Sequence, residues 1–98
     1  MKEITAEELA NKLAANEDVN IIDVREDFEV EEGKIPQAKH IALGEVEARL
    51  SELDKDKHYY MVCRSGARSG NACQFLTQQG FDVTNMAGGM IAWPGEVK

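Results

Sequence analysis

The chain has 98 residues, 43% hydrophobic and 30% charged, the profile of one small globular domain with a modest core. Its 11 Lys and Arg stand against 18 Asp and Glu, a formal net charge of −7. That balance opposes nucleic acid and anionic membrane surfaces as partners, and any anionic ligand must be drawn in locally, against the overall field. Two cysteines, Cys63 and Cys73, are too few for a disulfide scaffold and point to a reducing compartment. The opening "MKEITAEELA" has no apolar signal core, and no apolar run approaches the roughly 20 residues needed to cross a bilayer. The expectation is a cytoplasmic, monomeric protein without membrane or nucleic-acid partners.

Thr5 reads as a helix N-cap, and Glu8 three residues later completes a capping box. The helix it opens carries Leu9 and Leu13 on one face and runs to about Ala15. "VNIIDV" (Val19 to Val24) is a continuous apolar run ending in Asp23, as suits a strand buried on both faces. "REDFEVEEGK" predicts a short helical turn closed by Gly33. Ile35-Pro36 begins an extended segment, and "KHIAL" predicts a short strand. In "GEVEARLSEL", Val46, Leu50 and Leu53 have helical spacing. "HYYMVC" is the strongest strand, aromatic and short. Residues 67–79 predict a helix with Ala72, Cys73, Leu76 and Gln79 near one another and Gly80 as its stop. "FDVTNM" is a last strand, and "GGMIAW" a Gly-led turn into a short helix ended by Pro94.

Strands thus alternate with helices, which predicts an α/β fold with a central, mostly parallel β-sheet and helices on both faces. Ligands of such sheets bind beyond the carboxyl ends of the strands, and Cys63 stands at the carboxyl end of the best one. A strand, a tight loop and a helix start make an anion site, because the first N–H groups of the helix lack intrahelical acceptors and the dipole favours negative charge in front of them. A cysteine there is held as thiolate, the nucleophilic form. Ser65, Gly66, Ala67 and Ser69 are small enough to let successive amides converge, Gly66 is free to take a positive φ, and Arg64 and Arg68 add fork-like donors for an oxyanion. Against this stands a plain alternative, that Cys63 is a small buried hydrophobe. That account explains the strand but not the small and basic residues after it. It does suit Cys73, mid-helix on the apolar face. A redox pair of the two is disfavoured by their separation along a helix. A zinc site is disfavoured by the lack of a C-x-x-C and by the isolation of His40 and His58, which read as surface or sheet-edge residues.

Three segments together resemble the single-domain rhodaneses, the thiosulfate/persulfide sulfurtransferase module, from about Ile4 to Trp93. "IIDVREDFEVEEGKIPQAKHI" resembles the family's D-V-R-E…E…G-H-I-P-G-A…N-I stretch. "VCRSGARSGNACQFL" resembles its C-x-S-G-x-R-S loop and following helix. "GFDVTNMAGGMIAW" resembles the closing segment in which a Gly-Gly turn leads to a Trp. The resemblance implies that Cys63 is the nucleophile, carrying a sulfane sulfur as a persulfide. It implies that residues Arg64 to Arg68, followed by Ser69, form the substrate cradle, and that Asp23, Arg25 and Glu29 brace the fold and the rim. It implies a small anionic donor (thiosulfate or a persulfide) and a thiol or cyanide acceptor, the thiol on a small molecule or a protein. No metal or other cofactor is implied. The chain departs from the pattern at Lys34, Gln37 and His40, where the family usually has His, Gly and Asn.

Two other functions remain open at this point. One is a non-catalytic rhodanese-like interaction module, which usually lacks the cysteine. The other is a cysteine phosphatase or arsenate reductase, which needs C-x5-R, whereas the sixth position after Cys63 is Ser69 and the arginine comes one place early.

Overall fold

The computed structural model describes residues 1–98. Strands β1 (Glu3–Thr5), β2 (Asn20–Asp23), β3 (Ala38–His40), β4 (His58–Val62) and β5 (Asp82–Ala87) form one sheet, with helices α1 (Ala6–Ala14), α2 (Asp27–Glu31) and α3 (Ala67–Gln78) between them. The spatial order is β1-β5-β4-β2-β3 and every neighbouring pair is parallel.

Both faces of the sheet are buried, and period-2 alternation sorts the side chains between them. Ile22, Tyr59 and Met61 pack with Ala72, Cys73 and Leu76 of α3 on one face. Ile21, Val62 and Met86 pack with Ala6 and Leu9 of α1 on the other. The continuous apolar run of β2 therefore feeds two cores at once. Thr5 caps α1 as its sequence predicts: its Oγ1 accepts the Glu8 N–H, and Glu8 Oε1 accepts the Thr5 N–H, both at 3.0 Å. No helix is long and apolar enough to cross a membrane.

Two elements differ from the sequence expectation. Strand β1 is an edge strand of three residues, too short to show a period. The helix expected over "GEVEARLSEL" is replaced by two 3-10 turns, Leu43–Glu45 and Leu50–Glu52. Val46 is buried, and Leu50 and Leu53 pack beside it as their spacing requires, but tight turns satisfy that spacing as well as an α-helix does. Gly44 and the β-branched Val46 favour helix only weakly, and the segment is tethered at both ends. The Leu43 N–H donates to the Val24 carbonyl at 3.0 Å, and the Asp54 N–H to the Tyr59 hydroxyl at 2.8 Å.

Where β2 ends, Asp23 is completely buried and Arg25 is 7% exposed. The guanidinium donates through Nε to both Asp23 oxygens at 3.0 Å and through Nη2 to Oδ2 at 2.8 Å. Its remaining donors reach the Glu29 carbonyl at 3.2 Å and the Gly33 carbonyl at 2.8 Å. The pair therefore folds the loop and α2 back over the end of the strand. Arg25→Met strands a buried carboxylate, and we expect a loss of about 3–5 kcal/mol, a large share of the roughly 5–15 kcal/mol typical of a small domain. Urea unfolding measures it, and the Asp23→Leu/Arg25→Met double variant should lose less than the single one.

Candidate active site

The connection from β2 runs to β3 on one side of the sheet, and the connection from β4 runs to β5 on the other. The two loops diverge, which opens a crevice beyond the carboxyl ends of β2 and β4. Cys63 directly follows β4 in this crevice, and α3 starts four residues later at Ala67.

Gly66 is the N-cap of α3 at φ 101°, a left-handed conformation that a side chain would strain. That turn points the Gly66 N–H at Cys63 Sγ, 3.1 Å away. Ser69, one turn into the helix, places its Oγ 3.3 Å from the same sulfur. Burial alone would push the Cys63 thiol up. The Ser69 hydroxyl and the backbone N–H groups of Ser69, Gly66 and Ser65 outweigh it and hold the thiol below its ordinary value. Cys73 has no such donors: burial pushes it up to about 12, and it packs as a core residue.

Amides that face the sulfur leave carbonyls facing away, and those need donors. The segment after β5 supplies two of them. The Met90 N–H donates to the Cys63 carbonyl at 2.9 Å and the Ile91 N–H to the Arg64 carbonyl at 3.1 Å. Gly89, at φ 60°, makes this approach possible: a Cβ there would lie 2.3 Å from the Arg64 oxygen and 2.6 Å from the Ser65 nitrogen.

The two loop arginines differ. Arg68 is committed to Glu29 of α2 by two parallel hydrogen bonds, Nη1 to Oε1 at 2.6 Å and Nη2 to Oε2 at 2.8 Å. The guanidinium holds the Glu29 carboxyl down at about 2, helped by the Glu26 N–H. Arg64 is exposed and its side chain has no ion-pair partner. Arg25, Arg64 and Arg68 line an open cleft of about 600 Å³ together with Phe28, Glu29, Glu32, Met90 and Ile91. Cys63 has no exposed surface of its own. It is joined to the lining through its peptide bond to Arg64 and its hydrogen bond to Met90. The three-segment origin of the cleft brings the loops after β2, β4 and β5 to one place.

Asp23 stands behind this lining and Arg25 within it, neither of them on the sulfur, and Glu29 acts on the site through Arg68. His40, at the end of edge strand β3, has its Nε2 2.7 Å from the Arg25 carbonyl. Lys34 ties down the carbonyls of Ile35, Pro36 and Ala38 at 2.8–3.2 Å, and so braces the loop at a position where the sequence pattern differs. Asn85 was not foreseen: it is 4% exposed in β5 and hydrogen-bonds both Ser69 and Gly66. Its signal was an amide inside an otherwise buried strand, where Asn is disfavoured. No group of three or more His, Cys, Asp or Glu is placed to hold a metal ion.

A rhodanese-like domain is matched over residues 5–96, and the chain belongs to the rhodanese-like family. It is 52% identical over 98 residues to the Bacillus subtilis protein YtwF, covering all of this chain and 95% of that protein. A sulfurtransferase of Allochromatium vinosum is 44% identical over 94 residues, covering 95% of this chain and 88% of the relative. Among solved structures, a rhodanese-like domain protein from Staphylococcus aureus superposes with a TM-score of 0.94 at 41% identity, covering 100% of this chain and 97% of that one. With relatives of this name and similarity, the protein is an enzyme of the rhodanese kind.

Two outcomes follow from the site geometry. Gly89→Ala should cost about 3 kcal/mol in urea unfolding and slow alkylation of Cys63 at neutral pH, because the clamp on the Cys63 and Arg64 carbonyls must open. The Glu29 carboxyl is lower in the folded protein than its ordinary 4.5, so its ion pair contributes stability above pH 4.5 that is lost as pH falls towards about 2. Glu29→Gln should therefore be less stable than the parent at pH 6 by about 1–2 kcal/mol, discounted for the solvent around Arg68. The two should converge only as pH falls to about 2 and below, when urea midpoints are compared across pH.

Proposed function

We propose that this chain is a sulfurtransferase that moves a sulfane sulfur from thiosulfate or a persulfide donor to a thiol or cyanide acceptor through a Cys63 persulfide. The observation that carries this reading is the arrangement of N–H and O–H donors around one buried sulfur: Gly66 N–H at 3.1 Å and Ser69 Oγ at 3.3 Å, with no general base beside it. A thiol held below its ordinary value by such donors has less need of one.

The exposed, unpaired Arg64 on the cleft wall receives the anionic donor. The Cys63 thiolate attacks the outer sulfur of thiosulfate, the S–S bond of the donor breaks, and sulfite leaves with the electron pair. The product is the Cys63 persulfide anion, whose outer sulfur lies against the amides of residues 65 to 69. These fixed dipoles, with Arg64 beside them, stabilise the charge in the manner of an oxyanion hole. An acceptor thiolate or cyanide then attacks the outer sulfur, and Cys63 leaves as thiolate. Charge and atoms balance in each half, and the kinetics are ping-pong. The acceptor thiol belongs to a small molecule or to a protein presenting a cysteine to the cleft.

A phosphatase would need the loop arginine to wrap a tetrahedral oxyanion with both of its forked donors. Arg68 spends that fork on Glu29, which counts against this alternative. A purely non-catalytic module has no use for the donors on Cys63. Intact mass spectrometry after exposure to thiosulfate, and separately to a low-molecular-weight persulfide, tests the proposal. A gain of one sulfur atom is expected, absent in Cys63→Ser with its fold intact, and cyanide should discharge it. Phosphatase activity on an aryl phosphate without sulfur loading would overturn it.

A further inference from the structure

Asn85 sits on β5, the strand beside that of the nucleophile. Its Nδ2 donates to the Gly66 carbonyl at 3.1 Å. That contact fixes the amide orientation, because a carbonyl oxygen can only accept. Oδ1 consequently faces Ser69 Oγ at 2.5 Å, while the same Oγ lies 3.3 Å from Cys63 Sγ. The Ser69 hydroxyl has one proton and two acceptors, and all three residues are buried. The shorter contact is the one to Asn85, so the hydroxyl is shared between the amide and the sulfur.

We propose that Asn85 is a positioning residue for the nucleophile, taking the Ser69 hydrogen bond whenever the Cys63 sulfur is uncharged and releasing it whenever that sulfur is a thiolate. With Cys63 as a thiol, S–H donates to Ser69 Oγ, which donates to Asn85 Oδ1. On ionisation the hydroxyl turns about its C–O bond and donates to the thiolate. No proton leaves Ser69 in either state. In the persulfide the inner sulfur is uncharged and bridging, so the hydroxyl returns to Asn85. When the acceptor takes the outer sulfur, the departing thiolate receives it again. A buried hydroxyl with no acceptor costs free energy, and Asn85 provides one in the states where the sulfur does not. The persulfide step rests on the sulfurtransferase reading above, whereas the thiol–thiolate step does not.

The charged groups around Cys63 are Arg64 on its own loop, Arg68 of α3 with its partner Glu29 of α2, and the Asp23–Arg25 pair beside the end of β4. The segment carrying Met90 and Ile91 presents backbone amides and apolar side chains. Exchanging Asn85 alters none of these groups.

The test is the pH dependence of Cys63 alkylation by iodoacetamide, read by mass spectrometry on the Cys63 peptide, which keeps Cys73 separate and requires no sulfur transfer. Asn85→Ala removes the competing acceptor and should lower the pH midpoint by about half to one pH unit. Asn85→Asp, an acceptor with a negative charge, should raise it by at least as much. Ser69→Ala should abolish the Asn85→Ala shift. A residue that merely shapes the loop would disorder the donors in both variants and move both midpoints upward. Movement of both in one direction, an Asn85→Ala shift that survives in the Ser69→Ala background, or no shift, each overturns the proposal. Asn85→Val, a good strand former without an acceptor, is substituted if the alanine protein does not fold, with the same downward shift expected. If the shifts appear but the parent protein never loads sulfur, the sulfurtransferase reading fails while the role of Asn85 in ionisation stands.

Discussion

The cradle depends on one constraint: a loop that turns its amides towards a sulfur must find donors elsewhere for the carbonyls it turns outward. An unpaired buried carbonyl is costly, so the loop could not hold this shape on its own. The Cys63 and Arg64 carbonyls are taken by the Met90 and Ile91 N–H groups, and the Gly66 carbonyl by Asn85 Nδ2 and the Gly70 N–H. Each of the first three donors comes from β5 or from the turn that follows it. The site is therefore a joint product of the β4 loop and the β5 segment, although only the first carries Cys63.

A second pair of contacts sets the width of the crevice. The Asp23–Arg25 pair pins α2 over the end of β2, and α2 then presents Glu29 to Arg68 across the gap. One wall is thereby tied to the other by side chains that are themselves anchored. Buried ion pairs are weak evidence of net stability, since well-packed apolar groups often do as well. What this pair supplies here is direction: the guanidinium can reach Asp23, the Glu29 carbonyl and the Gly33 carbonyl together in only one arrangement of the loop.

Local chemistry made much of this legible in sequence. A short aromatic strand ending at a thiol, followed by small residues and a helix pattern, implied both the position of Cys63 and the turn at Gly66. The apolar run at residues 19 to 24 implied a strand with two buried faces. What stayed hidden depends on partners distant in sequence. Nothing near Arg68 says that its fork is already engaged by a carboxylate 39 positions away, so its sequence suggests a ligand donor. Gly89 reads as an ordinary turn glycine until the Arg64 carbonyl is seen against it. Asn85 is one polar residue in "VTNM", and only the neighbouring strand reveals what its amide faces. The 3-10 turns at Leu43 and Leu50 escaped for a different reason, because apolar spacing specifies which side chains point inward but not how tightly the backbone winds between them.

The distribution of charge bears on which anion such a site can hold. Three arginines line the cleft of a chain with a net charge of −7, yet two of them are neutralised in place by Asp23 and Glu29. Arg64 is left as the guanidinium free to meet a ligand, and the remaining positive potential comes from backbone dipoles and the start of α3. Dipoles act at short range and do not follow a ligand outward. They favour a small, singly charged atom seated at the bottom of the loop over a large dianion at its mouth. The persulfide sulfur that we propose on Cys63 is such an atom. In the sulfur transfer proposed above, Arg68 is pledged to Glu29, so the charge of a departing sulfite would fall to Arg64 and to solvent in the open cleft, leaving the product free to go once the sulfur has been taken.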